Sequence, residues 1–308
     1  MSQRKVLASN AKLRLPATSA NLGSGFDAVA VALDFYLEIE AETASEFSIE
    51  ATGRDAARCS QLENNLILDV YEKLLTDHGK PVVPLALRMV NGIPLGMGCG
   101  SSAAGRLAGI AFAVHFGQLG WDTDRILKTA SDFEGHPDNV AACWLGGFVA
   151  ASSYEGTVQA AQVDPPSEWR VLVVLPRAPL ATSKARAVLP DSYSRPDVVA
   201  NLQAVSQLGL AFAQARGDLL RAAMSDRIHQ PYRAPICPFL SPLLPLAGEH
   251  GILGVSLSGA GPAILVIVEE ESSVHTAGEA IRKALSGLDE PELLICGFER
   301  LQRRPIGH

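Results

Sequence analysis

The 308-residue chain has few charged side chains, few aromatic ones and no long apolar run. Charged residues make up 19% of it and hydrophobic residues 47%, a balance typical of globular proteins with sizeable cores. The net charge of −7 gives no general attraction to nucleic acid or to an anionic membrane. The apolar stretch 103–116 contains Arg106 and His115 and is shorter than the ~20 residues that a bilayer span requires. We therefore expect no nucleic-acid partner and no membrane partner.

Patterns for disulfides, zinc and secretion are also missing. The seven histidines form no H-E-x-x-H motif, and no apolar segment follows the basic N-terminus before Lys12. No C-x-x-C pair occurs among the five scattered cysteines, Cys59, Cys99, Cys143, Cys237 and Cys296. An odd, scattered set of this kind indicates reduced thiols, so we predict a cytoplasmic protein without disulfides or structural zinc.

The glycine-rich stretch 92–105 matches none of the common nucleotide or nucleophile motifs. A P-loop requires a lysine after its glycines, and none follows here. The glycine spacing of a Rossmann dinucleotide-binding loop is also absent. Ala104 stands where a nucleophile elbow needs its second glycine. The stretch does have Gly96, Gly98 and Gly100 directly before a helical pattern that begins at Ser101. Such a loop at a helix N-terminus can bind phosphate through backbone amides, and an ordinary glycine-rich turn before a buried helix explains it about equally well.

Five motifs in a fixed order resemble those of one family. The segment 94–104, PLGMGCGSSAA, is similar to the phosphate-binding motif of the GHMP small-molecule kinases, which are named for galactokinase, homoserine kinase, mevalonate kinase and phosphomevalonate kinase. LPATSANLGSGFD (15–27), EGHPDN (134–139) and HQPYR (229–233) resemble motifs of the homoserine-kinase members. GVSLSGAGP (254–262) resembles the third family motif. Because the matches follow the family order over most of the chain, the chain is identified as a member by resemblance.

Hydrophobic periodicity predicts a mixed helix and strand protein. The predicted strands are 12–16, 36–41, 47–50, 85–90, 147–152, 169–175, 252–257, 263–268 and 292–298. The predicted helices are 64–79 with Asn64 as its cap, 101–116, 122–134, 195–216 and 277–285. We expect a loop over 18–25, and we expect Val198, Val199, Leu202 and Val205 of the 195–216 helix to face inward.

The fold class that follows is α+β with two domains. Pro165-Pro166 predicts a boundary, which gives domains 1–164 and 165–308. The order of elements in the second half is that of a ferredoxin-like split βαβ fold, whereas the first half supports only α+β. The resemblance implies an N-terminal domain like ribosomal protein S5 domain 2, a ferredoxin-like C-terminal domain and an active site between them.

The resemblance implies a phosphotransferase that uses ATP and Mg²⁺. The implied ATP contacts are Asn65 together with Pro94, Leu95, Gly96, Met97, Gly98, Cys99, Gly100, Ser101, Ser102, Ala103 and Ala104. It also implies Ser102 and Glu134 as the Mg²⁺ ligands, with Thr182 at the γ-phosphate as the third catalytic residue. Glu134 in another context would be a surface carboxylate, but a negative charge at a helix C-terminus favours a compensating cation.

The same resemblance implies L-homoserine as the substrate. A zwitterion needs a clamp for its carboxylate, for which Arg186 and Arg233 are implied, and an acceptor for its ammonium group, for which Asp27 is implied. Asn21 and Asn139 complete the implied amino-acid contacts. From residue type alone, Asn21 and Asp27 could equally cap a turn, Asn65 could cap a helix, and each arginine could be a surface charge.

The implied reaction is ATP-dependent phosphorylation of the homoserine hydroxyl, the committed step toward threonine. No general base stands out, so we expect direct attack of the hydroxyl on the γ-phosphorus, without a dedicated strong base. The alternatives are another GHMP kinase with a different small alcohol, and an inactive sensor of ATP or an amino acid. A homodimer is expected from the family alone. Cys99 stands where the family has leucine and is best explained as a small apolar filler.

Overall fold

The computed structural model describes residues 10–301 and the backbone of 306–307. The strands β1 to β11 are Asn10–Asn21, Gly25–Thr43, Ser48–Gly53, Leu85–Asn91, Phe148–Tyr154, Thr157–Val163, Arg170–Leu175, Ile252–Leu257, Ile264–Val268, Glu292–Cys296 and Ile306–Gly307. The helices α1 to α11 are Ala56–Cys59, Leu66–Asp77, Ser101–Phe116, Thr123–Glu134, Asp138–Leu145, Thr182–Ala187, Arg195–Ala213, Leu220–Ala223, Gln230–Arg233, Leu240–Leu243 and Val274–Ala284.

The strands form two sheets. The first has the order β11-β1-β2-β4-β3, with β5 paired to β2 and β6 paired to β5. Its strands are antiparallel except for the parallel pair β3 and β4. The second sheet is antiparallel with the order β10-β7-β9-β8, which is the order of a ferredoxin-like fold. The two sheets confirm the predicted α+β class.

The chain passes from the first sheet to the second between β6 and β7, and its last described residues return to β1. The Pro165-Pro166 pair lies in this crossing. The division into 1–164 and 165–308 stays a prediction.

The first turn of the chain is tighter than the predicted loop over 18–25, which was wrong. The strand β1 continues to Asn21, and β2 begins at Gly25. Thr18 and Ser19 are fully buried, so their backbone groups need partners. Both residues pair with β2, and the outward amide of Thr18 donates to the Cys99 carbonyl. Asn21 and Leu22 take positive φ angles of 72° and 45° to make the turn. This short turn brings the end of β1 against the second half of the chain.

The predicted inward face of α7 was wrong at three of its four positions, since only Val205 packs against the core. Val198, Val199 and Leu202 are 38%, 45% and 59% exposed. The core is contacted instead by a second apolar face that includes Leu208 and Phe212. A helix with apolar residues around most of its circumference does not specify which side is buried, so periodicity could not decide.

Phe212 on this helix ties the two sheets together. Its ring stacks on Phe148 of β5 at 4.4 Å between centroids and meets Trp169, next to β7, edge-on at 5.4 Å. Aromatic contacts of this kind fix the two sheets in one orientation. The loop between β8 and β9 also meets the end of β1, where the Gly259 amide donates to the Ala20 carbonyl at 3.0 Å.

The helix α3 packs deep in the first half. Its buried positions are mostly small, and a Cβ on Gly109 would lie 2.5 Å from the Ile67 carbonyl oxygen of α2. The helix is therefore held close to α2, which fixes the position of its N-terminus. No helix in residues 10–301 is long and apolar enough to cross a membrane.

Candidate active site

A cavity of about 570 Å³ lies between the two halves of the chain. Most of the residues implied by the resemblance line it: Asn21, Asp27, Asn65, Leu95, Gly96, Gly98, Gly100, Ser101, Ser102, Glu134, Asn139, Thr182, Arg186 and Arg233. Five other implied residues lie behind this wall. Cys99, Ala103 and Ala104 are fully buried, and Pro94 and Met97 line a neighbouring groove. The structure thus brings together residues that are more than two hundred positions apart in the sequence.

The glycine loop is held in place from both halves of the chain. Thr18 of β1 donates its amide to the Cys99 carbonyl at 3.1 Å, and Ala263 donates to the Met97 carbonyl at 3.2 Å. The Ser258 hydroxyl donates to the Gly98 carbonyl at 2.7 Å. These contacts direct the loop toward the N-terminus of the 16-residue helix α3. The free amides and positive dipole end of that helix suit an anion.

The positive φ angles of this loop require glycine at two positions in particular. Gly98 has φ +81°, and a Cβ there would lie 2.1 Å from the Ser258 carbonyl oxygen. Gly100 has φ +74°, and a Cβ there would lie 1.9 Å from Thr18 Oγ1. The loop can therefore approach its neighbours and a ligand only without side chains.

Cys99 has no reactive character. Its side chain is fully buried, and burial raises the pKa of its thiol to about 12. This agrees with its interpretation as an apolar filler.

A hydroxyl, a carboxylate and a guanidinium meet beside the glycine loop. Ser102 Oγ donates to Glu134 Oε2 at 3.1 Å, and Arg106 Nη1 contacts both of these atoms. Two oxygens so close together beside an anion-binding loop are the ligand type and number that Mg²⁺ takes from proteins. Because a cationic group already contacts both oxygens, the pair is suited to binding a cation. Ser102 and Glu134 therefore fit the metal that the resemblance implies.

Arg106 was missed in the candidate set drawn from the sequence. That set was taken from the family motif, and the only cation sought near the loop was a P-loop lysine directly after the glycines. The available signal was spacing, since Arg106 follows Ser102 by four residues, which puts both side chains on one face of α3.

Asp27 and Arg186 form a two-pronged ion pair at the other end of the cavity. Arg186 Nη2 donates to Asp27 Oδ1 at 2.8 Å, and Nη1 donates to Oδ2 at 3.0 Å. The resemblance implied that Arg186 binds the carboxylate and Asp27 the ammonium group of a substrate, whereas in this structure the two side chains bind each other. Asn21 supports the arrangement, since its Oδ1 accepts from the Asp27 amide at 2.9 Å and its Nδ2 donates to the Gly259 carbonyl at 2.8 Å.

Arg233 is a second cation at the same end, and it is almost completely buried. Its Nε donates to the Ala185 carbonyl at 3.0 Å, and its Nη1 donates to His229 Nδ1 at 3.1 Å. Burial, reinforced by the positive charge of Arg186, lowers the pKa of Arg233. Two guanidinium groups beside each other attract an anion such as a carboxylate.

His229 holds Arg233 through a fixed tautomer. Its Nε2 lies 2.8 Å from the Gly23 carbonyl oxygen and must carry the proton, which leaves Nδ1 as the acceptor for Arg233. Burial lowers the pKa of His229. The neutral imidazole therefore connects Arg233 to the β1–β2 turn.

A third polar group completes the cavity wall. His136 Nδ1 lies 2.5 Å from Asp138 Oδ1, and Asp138 Oδ2 is buried without a hydrogen-bond partner among the described residues. Side-chain atoms of Asp27, His136 and Asp138 all lie within 4.8 Å of one another. Asn139 Oδ1 accepts from Thr18 Oγ1 at 2.7 Å. The sequence analysis named no role for His136 or Asp138, although both stand in the 134–139 motif.

Asn65 caps α2, so the cap lies one residue after the predicted Asn64. Its Oδ1 accepts from the Ile67 and Leu68 amides at 3.1 and 3.4 Å, and its Nδ2 donates to the Gln61 carbonyl at 3.0 Å. The capping alternative therefore holds for this residue, which also lines the cavity. Thr182 is the exposed first residue of α6.

Comparisons with known proteins indicate one family. The family model described as the GHMP kinases N terminal domain matches residues 65–147, and that of the GHMP kinases C terminal matches residues 210–287. The chain is 44% identical to a homoserine kinase of Solibacter usitatus, over 83% of this chain and 84% of that protein. It is 38% identical to a homoserine kinase of Deinococcus radiodurans, over 86% of each.

A solved structure has the same fold. The crystal structure of a homoserine kinase from Cytophaga hutchinsonii superposes with a TM-score of 0.81, covering 97% of this chain and 98% of that one at 24% identity. The family models cover the glycine loop and the strands β8 and β9 of the second sheet, and the identity to the relatives extends over most of the chain. The chain belongs to the GHMP kinase family.

Proposed function

We propose that the chain is a homoserine kinase, which transfers the γ-phosphoryl group of ATP to the side-chain hydroxyl of L-homoserine and forms O-phospho-L-homoserine on the route to threonine. Eight relatives named homoserine kinase, 35–44% identical to the chain, support this proposal. The observation that carries it is one cavity with a glycine loop and cation-binding oxygens on one wall and two guanidinium groups beside a carboxylate on another.

The glycine loop and the start of α3 hold the nucleotide phosphates. Backbone amides of Gly98 to Ser102 and the helix dipole supply the attraction, since no lysine follows the loop. Ser102 and Glu134 would hold the Mg²⁺ ion, which spreads the charge of the phosphates when bound. Thr182, which also lines the cavity, contacts the γ-phosphate in this proposal.

The other end of the cavity selects a zwitterion. Arg186 and Arg233 take the substrate carboxylate, and Asp27 takes the ammonium group, with Asn21 and Asn139 as neighbours. The ion pair of Asp27 and Arg186 opens when the substrate enters, and each charge exchanges one partner for another. A ligand with only one charge breaks the ion pair but leaves either Asp27 or Arg186 without a new partner. The charged hydrogen bond lost in this way is worth roughly 1.5–3 kcal/mol.

Transfer then depends on position. The cavity holds the hydroxyl between its amino-acid end and the phosphate loop, and a loose transition state needs little help from a base. The reaction proceeds by direct attack of the hydroxyl on the γ-phosphorus. The cytoplasmic location and the homodimer stay predictions.

A coupled ADP-release assay tests the function. With Mg-ATP, L-homoserine is compared with L-serine, L-threonine, mevalonate and pantoate. Strong preference for homoserine is the expected result. Turnover of a different alcohol would indicate another GHMP kinase activity, and ATP binding without any turnover would indicate an inactive sensor.

A further inference from the structure

The side chain of Arg106 contacts the two side chains that would hold a metal ion. Its Nη1 contacts Ser102 Oγ and Glu134 Oε2, the two atoms that would hold the ion. The side chains of Arg106 and Glu134 are only 22% and 11% exposed, so this is a sheltered pair and not a solvated surface contact. No other ion pair of Glu134 is recorded within residues 10–301.

Glu134 needs a cation at this place. It is the last residue of α4, where the negative end of the helix dipole disfavours a carboxylate. A largely buried carboxylate without a counter-charge is costly as well. The only partner besides Arg106 is the uncharged Ser102 hydroxyl among the contacts described. In the nucleotide-free protein, Arg106 therefore supplies the positive charge.

We propose that Arg106 is a displaceable internal cation that occupies the place of the divalent metal between Ser102 and Glu134 until metal and nucleotide arrive. This inference rests on the proposed kinase function and deepens it. The guanidinium and the metal compete for the same two oxygens, so binding the metal requires Arg106 to leave them. Without Arg106, the carboxylate is unpaired in the metal-free protein and repels the phosphates of a nucleotide.

The proposal predicts how strongly ADP binding depends on the metal. Removing Arg106 weakens ADP binding in EDTA, because Glu134 then repels the phosphates. It leaves ADP binding in Mg²⁺ unchanged or makes it tighter, because no guanidinium has to be displaced. The ratio of the ADP dissociation constant in EDTA to that in Mg²⁺ therefore rises, by about tenfold or more for the loss of one charged contact.

Isothermal titration of ADP tests this ratio for the wild type, Arg106→Gln and Arg106→Met, in EDTA and in excess Mg²⁺. Two uncharged replacements of different shape guard against the failure of one of them to fold. Arg106→Lys keeps the charge and is expected to stay near the wild-type ratio. Arg282→Gln removes an exposed arginine of α11 and serves as the matched control, with no change expected.

Two outcomes would overturn the proposal. If ADP binding weakens equally in EDTA and in Mg²⁺, Arg106 has a structural role only. If the ratio falls, Arg106 assists the metal and does not compete with it. Failure of the proposed function alone gives a different result. The titration needs no homoserine, so the ratio would still rise as expected while the ADP-release assay shows no phosphorylation of homoserine.

Discussion

Replacing Gly98 by alanine tests whether the glycine loop is held against the second half of the chain. A residue with a side chain costs about 1–2 kcal/mol at a left-handed position, and Gly98 has φ +81°. The new Cβ would also lie 2.1 Å from the Ser258 carbonyl oxygen and 2.9 Å from that of Gly261. Both are backbone atoms, so the two loops must move apart.

Moving the loops apart costs further contacts. The hydrogen bond from the Ser258 hydroxyl to the Gly98 carbonyl, 2.7 Å long, would be lost or stretched, and so would the one from the Ala263 amide to the Met97 carbonyl, 3.2 Å long. Each is worth roughly 0.5–1.5 kcal/mol. We expect Gly98→Ala to lower the free energy of unfolding by about 3 kcal/mol in total and to weaken ADP binding at least tenfold.

Gly120→Ala is the matched control. Gly120 also has a positive φ, +67°, but a Cβ there would have no atom within 4 Å. It should cost only about 1 kcal/mol and leave ADP binding unchanged. Urea unfolding and isothermal titration measure the two quantities. If Gly98→Ala is as stable as Gly120→Ala and binds ADP like the wild type, the described contact between the loops is wrong.

Three further predictions concern two residues that line the cavity, Arg186 and Asn65, and His229 behind Arg233. Arg186→Gln should raise KM for homoserine ten- to a hundredfold, about the worth of one charged hydrogen bond, with a smaller change in kcat; steady-state kinetics measure the split, and an unchanged KM would contradict the clamp. Asn65→Ala should lower stability by about 1 kcal/mol because α2 loses its cap, and an accompanying rise in KM for ATP would show a nucleotide contact as well. Burial lowers the pKa of His229, so the folded protein resists a proton that the unfolded chain accepts below about pH 6.5. Stability should therefore fall as the pH drops below that value and stay constant above it, and thermal unfolding of His229→Asn should show a flatter pH dependence than the wild type.

Local patterns predicted most of the described strands and the five longest of the described helices. Ser101 to Phe116 was predicted as a helix and is one, because a run of small and apolar residues between two glycines leaves little choice. The helix predicted over 122–134 is also present as α4, whose cap Asp122 accepts from the Arg125 amide at 2.9 Å. Both depend on neighbouring residues alone.

Local patterns could not predict the features that depend on contacts with residues distant in the sequence. Thr18 and Ser19 suggest a loop by composition, but their pairing with β2 makes them strand. The exposed face of α7 was predicted to be buried because Val198, Val199 and Leu202 are apolar, whereas Phe212 is the residue that meets both sheets. In such cases tertiary contacts override the local preference.

The candidate site was likewise predicted only in part. Family motifs indicated which side chains belong together, and most of them line one cavity. They gave no sign that Asp27 and Arg186, which are 159 residues apart, bind each other in the absence of substrate. They also omitted Arg106, whose contact with Glu134 depends on how α3 and α4 pack.

The most direct test of the account is a comparison of homoserine with two analogues that each lack one charge, 4-hydroxybutanoate and 3-aminopropan-1-ol. Phosphoryl transfer from Mg-ATP is followed by phosphorus NMR, which identifies the phosphorylated oxygen. The account predicts O-phosphohomoserine as the product and kcat/KM values for both analogues at least tenfold lower, because each leaves Asp27 or the arginines without a partner. Equal rates with the three alcohols, or a product that is not phosphorylated on the side-chain oxygen, would contradict it.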